Sequence, residues 1–350
     1  MLTEKDFIAA DLSGPVSKAY KLKDSASSNI ALVKYWGKYG QQLPMNPSVS
    51  FTLNKSQTHT EIALQPLTTP SRQVSFEFYF EGKRKTDFEP KIAGFFQKIS
   101  PFVPFIHHFE WKIDSFNTFP HSSGIASSAS AFATLAKIIA GLEKQLFPSV
   151  SEGFLKKKAS FLARLGSGSA SRSIEHPVMI WGEHPEIPES SNLYAIRPDF
   201  ELHPIFKNFQ DSIALIEKGQ KQVSSTAGHA LMNKHPYKEI RKKQAFDRAV
   251  QMYQTLQNGD IERFIEITES EALELHALMM TSQPGYILMQ PGTLEIIHRI
   301  RNIRKEKNIP VCFSLDAGAN VHVLYPASYK KSLQQHLWKD LKTEVIHDFI

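Results

Sequence analysis

The longest mainly apolar stretch of this 350-residue chain, Ile125 to Leu142, still contains Lys137 and several serines. Such a run is too polar for a membrane span and too apolar to face water along its length. It must therefore be a helix buried inside a folded domain. The pattern predicts a helix over 124–147, rich in Ala, Leu and Ile and stopping before Pro148. Its entrance reads FPHSSGIASSASAF, with Ser122, Ser123, Gly124, Ala126, Ser127 and Ser128 crowded at the first turn. Glycine lets a backbone come close to a ligand, and amides at a helix N-terminus favour an anion. Serine hydroxyls can donate to phosphate oxygens or ligate Mg²⁺. The same residues would also serve a Ser/Ala-rich helix start packed closely on a sheet, and this stretch alone does not choose between the two.

The rest of the chain reads as strands mixed with helices in both halves, an α+β pattern rather than a regular βαβ alternation. VSFTLNKSQTHTEIALQP and QVSFEFYFEG read as strands by their β-branched content and alternation, with Gly82 as a turn. SEGFLKKKASFLARLG reads as a helix capped near Ser151 and stopped by Gly166. A proline- and serine-rich stretch over 185–198 marks a domain junction, giving domains of 1–188 and 189–350. Beyond it lie the strand SIALIEK, a helix closing on Gly259, the helix DIERFIEITESEALELHALMMTS, and a helix starting at Pro291. The strands VCFSLDAG and VHVLYP bracket a tight turn at 316–320.

Charge and cysteine content narrow the classes. The net charge of +6 comes from dispersed basic residues; GKRKTDF and EIRKKQAF are the only dense clusters, and neither interleaves aromatics. Such a charge would suit an anionic partner, nucleic acid or a phosphorylated small molecule, but it reads equally as general solubility, and the dispersed pattern predicts no nucleic-acid binding. The single cysteine, Cys312, excludes an internal disulfide framework and a Cys-rich zinc site. No histidine spacing matches a metal motif. The acidic start, MLTEKDFIAADLSG, fits neither a signal nor a transit peptide, so a cytoplasmic location is expected.

Further segments carry polar groups where a ligand could use them. In SNIALVKYWGK a buried strand ends at Lys34, Tyr35, Trp36, Gly37 and Lys38. Two lysines and a phenol there could neutralise an anion; solvated lysines on an edge strand would read the same. LGSGSASRS offers a hydroxyl-bearing turn at Ser167, Gly168, Ser169, Ala170 and Ser171, followed by the planar fork of Arg172. It also reads as a simple linker turn. SLDAGAN sets Asp316 at a strand end before a glycine turn, suited to a general base and equally to an ordinary turn. In KQVSSTAGHAL, Ser225 and Thr226 precede Gly228, for capping a helix or binding an anion.

Taken together, these segments resemble the GHMP kinase superfamily and, within it, the diphosphomevalonate decarboxylases. PHSSGIASSA is similar to the superfamily's nucleotide motif, with Ile125 in the leucine position. NIALVKYWGK, GSGSASRS, VSSTAG and DAGAN resemble the decarboxylase branch in order, and SEALELHALMMTS resembles one of its helices. The resemblance implies a two-domain GHMP kinase-like fold, with a left-handed βαβ crossover in the N-terminal domain and a ferredoxin-like C-terminal domain. It implies ATP-dependent decarboxylation of 5-diphosphomevalonate, with Mg²⁺ as cofactor and a homodimer as the assembly. A 5-phosphomevalonate decarboxylase or a mevalonate 3-kinase is the alternative within the same fold.

By that resemblance Asp316 stands beside the C3 hydroxyl, Lys34 holds Asp316 ionised, and Arg172 fixes the substrate carboxylate. Tyr35, Trp36, Gly37 and Lys38 would meet the diphosphate, with Lys91 nearby. Ser167, Gly168, Ser169, Ala170, Ser171, Ser225 and Thr226 would make further substrate contacts. Ser122, Ser123, Gly124, Ala126, Ser127 and Ser128 would hold the nucleotide, with Ser128 on the Mg²⁺ side. The chain departs from the family after Arg172, where Glu175, His176 and Pro177 replace the usual glycines. Ala319 and Pro47 replace a proline and a serine, and neither change removes a functional side chain.

Overall fold

In the segment SVSFTL, Val49, Phe51 and Leu53 are buried, as an amphipathic strand requires, yet so are the alternating Ser48, Ser50 and Thr52. Both faces of this strand are therefore covered, one by the apolar core and one by polar partners. The computed structural model describes residues 2–12, 14, 16–120, 125–217 and 225–350, with Ser225 and Thr226 described by backbone alone.

Its strands are β1 (Tyr20–Val33), β2 (Lys38–Tyr39), β3 (Leu43–Pro44), β4 (Ser48–Pro66), β5 (Ser75–Phe80), β6 (Lys83–Arg84) and β7 (Phe109–Asn117). They continue as β8 (Val178–Trp181), β9 (Ala195–Ile196), β10 (Gln210–Leu215), β11 (Cys312–Leu315), β12 (Val321–Tyr325) and β13 (Glu344–Phe349). The α-helices are α1 (Glu89–Ile99), α2 (Ser127–Leu146), α3 (Glu152–Gly166), α4 (Ser225–Leu231), α5 (Lys238–Asn258), α6 (Ile261–Met280), α7 (Pro291–Lys307) and α8 (Lys330–His336).

The first sheet runs β6-β5-β7-β4-β8-β9, with β1 paired along the opposite edge of β4. Only β5 and β7 are parallel, joined through α1. The second sheet runs β11-β12-β10-β13 and is antiparallel throughout. Helices and strands mix in both parts, as the α+β reading expects. Strand β9 completes the first sheet and β10 enters the second, so sheet membership changes between 197 and 209, later than the 188/189 junction expected from composition.

Caps follow the local chemistry. Ser151 accepts from the Phe154 amide at the start of α3, and Asp260 accepts from Arg263 at the start of α6. Gly259 closes α5 at φ +80°, a conformation that an L side chain adopts only under strain. Helix α2 begins at Ser127 rather than at 124. The segment expected to form several strands is the single 19-residue β4.

Two contacts tie the sheets together. Phe51 of β4 stacks on Phe264 of α6, ring centroids 5.7 Å apart. The buried Asp348 carboxylate of β13 accepts from the amides of Asn54, Lys55 and Ser56 at 3.0, 2.7 and 2.7 Å. Helix α6 packs on both β1 and β11, so the end of β1 lies between the two sheets.

Removing Asp348 leaves four amides, those of Asn54, Lys55, Ser56 and Phe349, without their acceptor. Asp348→Ala is expected to cost roughly 2–4 kcal/mol in urea unfolding, with Asp348→Asn recovering part of it. An unchanged urea midpoint in Asp348→Ala would show that this tie contributes nothing.

Candidate active site

Strand β1 breaks register with β4 between Ser27 and Asn29 and again between Ala31 and Val33. Such bulges re-aim side chains, and here Asn29, Ala31 and Lys34 all face one cavity. The cavity measures about 980 Å³ and lies between the two sheets. Its walls come from the end of β1, from α1, from the α2 entrance, from the turn after α3 and from the turn after β11.

Lys34 is buried, and its Nζ donates to Ser314 Oγ at 2.8 Å and Asp316 Oδ1 at 3.0 Å. Burial pushes the ammonium below the usual lysine range, against the opposing pull of Asp316. The Lys34 peptide is held as firmly as its side chain. Its N–H donates to Glu271 at 2.7 Å, and its carbonyl accepts from Arg241 and from Asn46. Arg241 grips Glu271 through two bonds of 2.6 Å, and Arg248 adds a further bond to the same carboxylate. Burial alone would raise the Glu271 carboxyl; the guanidiniums and the Lys34 amide hold it below its usual range.

Arg172 is buried among hydroxyls. Its NH1 donates to Ser48 at 2.6 Å and its Nε to Ser50 at 3.2 Å. These are the polar alternates of β4, so that strand's second face is the floor of the site. Burial lowers the guanidinium to about 10, which leaves it a cation at neutral pH. Neutral hydroxyls surround it, and it retains charge to offer a ligand.

Lys38 lines the cavity and donates to Gln42 at 2.7 Å. Burial, then the field of Lys98, lowers its pKa. On α1, Lys91, Gly94, Phe95 and Lys98 fall at i, i+3, i+4 and i+7 and share the cavity face. Among the described residues no carboxylate pairs with Lys38, Lys91 or Lys98. The Tyr35 phenol is buried with no partner among the described residues, and burial raises its pKa. A Cβ on Gly168 would lie 2.7 Å from the Tyr35 hydroxyl, so this glycine is needed for close approach.

The expected site residues divide clearly. Lys34, Tyr35, Trp36, Lys38, Lys91, Ala126, Ser128, Ser167, Gly168, Ser169, Arg172 and Asp316 all line the cavity. Gly37, Ser127, Ala170 and Ser171 do not. Gly37 turns the chain at φ +93°, and the Ser171 hydroxyl donates back to the Gly168 carbonyl. Ser122, Ser123 and Gly124 lie outside the described residues, as do the side chains of Ser225 and Thr226 at the start of α4. Sequence reasoning missed Asn29, Ser48, Ser50, Lys98, His229, Arg241 and Glu271. The alternating serines of β4 and the helical spacing of Lys91 and Lys98 were available signals; the Arg241–Glu271 pair, thirty residues apart on two helices, carried none.

The cavity fits a polyanion carried with Mg²⁺. Among the described residues no cluster of three His, Cys, Asp or Glu could hold a metal. Mg²⁺ is commonly held by phosphate oxygens with one or two protein groups, and the Ser128 hydroxyl is available for that.

Comparison with known proteins agrees with this geometry. Residues 26–192 match the diphosphomevalonate decarboxylase-like N-terminal domain, and 212–348 match the mevalonate 5-diphosphate decarboxylase C-terminal domain. The diphosphomevalonate decarboxylase of Candida albicans is 27% identical over 91% of this chain and 88% of its own. The solved structure of mevalonate diphosphate decarboxylase from Staphylococcus aureus is 27% identical and superposes with a TM-score of 0.81, covering 95% of this chain and 96% of that one. The MDDEF structure in complex with MVAPP, AMPPCP and magnesium gives a TM-score of 0.80 at 27% identity, covering 95% and 97%.

The buried network also sets an acid limit. Glu271 has a lowered native pKa, so its stabilisation is full above about pH 4.5 and is lost as pH falls below that. His276 is pushed down by burial to about 4, so it resists protonation that the unfolded chain accepts near 6.5. Both effects make stability rise with pH. Urea midpoints should therefore fall from pH 7 to pH 4, and Glu271→Gln should flatten the decline below about pH 4.5. A Glu271→Gln midpoint tracking wild type at every pH would contradict the assignment.

Proposed function

The chain belongs to the diphosphomevalonate decarboxylase family, and from that premise we propose that it converts (R)-5-diphosphomevalonate and ATP into isopentenyl diphosphate, ADP, phosphate and CO₂. The observation that carries this reading is the pair of a buried Lys34 and a cavity-facing Asp316, set in one cavity with the carboxylate-free lysines. It provides one negative group among several cations, which suits a reacting hydroxyl on a polyanionic substrate.

In the proposed mechanism Asp316 orients the C3 hydroxyl and accepts its proton as the oxygen attacks the γ-phosphorus of ATP. Lys34 keeps Asp316 anionic and aimed, since its Nζ is fixed by Ser314 as well. The C3–O bond then breaks, its electron pair leaving with phosphate. The C1–C2 pair moves to form the C2–C3 double bond as CO₂ departs. Arg172 holds the substrate carboxylate in the plane that allows this, and Asp316, once it has passed the hydroxyl proton to the transferred phosphate, is again anionic and stabilises positive charge developing at C3. Tyr35, Lys38 and Lys91 would bind the diphosphate, with Ser167, Ser169, Ser225 and Thr226 completing the substrate contacts. ATP bound with Mg²⁺ would supply the phosphoryl group, held by the α2 entrance from Ser122 to Ser128.

Related roles follow from the same reading. We assign the nucleotide-binding half to the first sheet with its helices, through β9, and the ferredoxin-like half to the second sheet with its helices, in a cytoplasmic homodimer. No helix among the described residues is long and apolar enough to cross a membrane.

The decisive experiment follows CO₂ release and ADP formation with mevalonate, its 5-phosphate and its 5-diphosphate in parallel. Turnover of the diphosphate to CO₂ is expected; ADP without CO₂, or preference for the monophosphate, would replace this reading. Asp316→Asn should lower kcat by about 10³-fold in a chain that still folds and binds ATP. Near-normal turnover would remove Asp316 from the reaction. Lys38→Ala should raise the substrate KM more than it lowers kcat. An unchanged KM would put the diphosphate elsewhere.

A further inference from the structure

His229 was not singled out by the sequence, yet it lines the cavity beside Tyr35 and Trp36. It sits on α4 and is buried, with its ring lining the cavity. The ring packs beside Tyr35 at 4.3 Å and Trp36 at 4.7 Å between centroids. The backbone N–H of Gly37 donates to its Nδ1 at 3.0 Å. An amide can only donate, so Nδ1 must carry the lone pair, and the proton of the neutral ring must sit on Nε2.

The protonation state is set by the surroundings. Burial, then the fields of Lys38 and Arg172, push the imidazole down to about 3, so the ring is neutral throughout the physiological range. Its tautomer and its orientation are both held by groups on the β1 exit loop. No described residue accepts from Nε2–H. A buried aromatic ring with one nitrogen committed and the other N–H facing a cavity is poised to donate to a ligand.

The ring packs on Tyr35 and Trp36 and takes the Gly37 amide, the residues that lead directly into Lys38. The donor therefore belongs with the Lys38 end of the cavity. We propose that His229 is a substrate-binding residue whose neutral Nε2–H donates to a phosphate oxygen of the substrate's tail. This rests on the reading that a phosphorylated substrate occupies the cavity. It makes His229 a specificity residue, since a directional neutral donor selects a correctly placed oxygen whereas lysine charge accepts many.

The test separates the two ring nitrogens. His229→Asn keeps an acceptor for the Gly37 amide but removes the far donor; His229→Gln places an amide N–H near the Nε2 position. With 5-diphosphomevalonate, His229→Asn should raise KM by about tenfold with kcat changed less than about twofold, and the KM for ATP should not move. His229→Gln should recover most of the loss. A KM within about twofold of wild type in His229→Asn, or a rise in the ATP KM instead, would overturn the proposal. Independently, the ¹⁵N-labelled imidazole of the full wild-type chain should report an Nε2–H tautomer whose signal shifts on addition of inorganic pyrophosphate. An Nδ1–H tautomer, or no shift at saturating pyrophosphate, would overturn it even if the variants do not fold. Wild-type protein inactive on all three mevalonate substrates would instead refute the proposed reaction, and the pyrophosphate titration would still decide the donor.

Discussion

The arrangement depends above all on how Lys34 is held. A lysine ammonium buried beside a partly exposed aspartate is costly unless its position is tightly determined. Here the peptide of Lys34 is pinned from both sides, its N–H by Glu271 and its carbonyl by Arg241, while the side chain spans to Ser314 and Asp316. Lys34 ends a strand of the first sheet, Glu271 and Arg241 lie on α6 and α5, and Asp316 follows β11 of the second. The ion pair therefore exists only when both sheets are assembled around these helices. Folding of the two halves against each other and formation of the reactive pair are the same event.

The remaining cations are treated differently. Arg172 rests on neutral hydroxyls, and Lys38, Lys91 and Lys98 have no carboxylate beside them among the described residues. Leaving positive charge unneutralised works against stability in the empty protein, because the cations repel one another and burial disfavours the charged form. The lowered pKa of Lys38 records that cost. The same imbalance favours a ligand that brings several negative charges. Directional groups complete the pocket: the Tyr35 phenol, which has no partner among the described residues, the paired Ser167 and Ser169 hydroxyls, and the His229 ring.

Much of this was legible beforehand, for identifiable reasons. The cap at Ser151 and the stop at Gly259 are local chemistry, decided within a turn of the residue concerned. Lys34, Arg172 and Asp316 stood out because each follows a strand or turn with an unusual polar composition. Asn29, Ser48 and Ser50 were passed over because a serine or asparagine in a strand is ordinary until its partner is known. Nothing in the helix SEALELHALMMTS sets Glu271 apart in sequence; Arg241, Arg248 and the Lys34 amide meet it only in the folded chain. The segment of β4 reads as strands from its β-branched content and alternation; that it is one strand depends on distant partners, among them Asp348, almost three hundred residues later, which accepts from the Asn54 and Lys55 amides.

By itself, then, the sequence determined the element types, the α+β class and the identity of the chemical groups, since these follow from periodicity, capping and side-chain chemistry within short windows. Tertiary structure alone decided which groups meet, because hydrogen bonding and burial depend on partners distant in the chain. The β1 bulges turn Lys34 toward Asp316, the floor of serines receives Arg172, and a glycine amide chooses the tautomer of His229. No local window contains both members of any of these pairs, which is why their physics becomes readable only once the chain is folded.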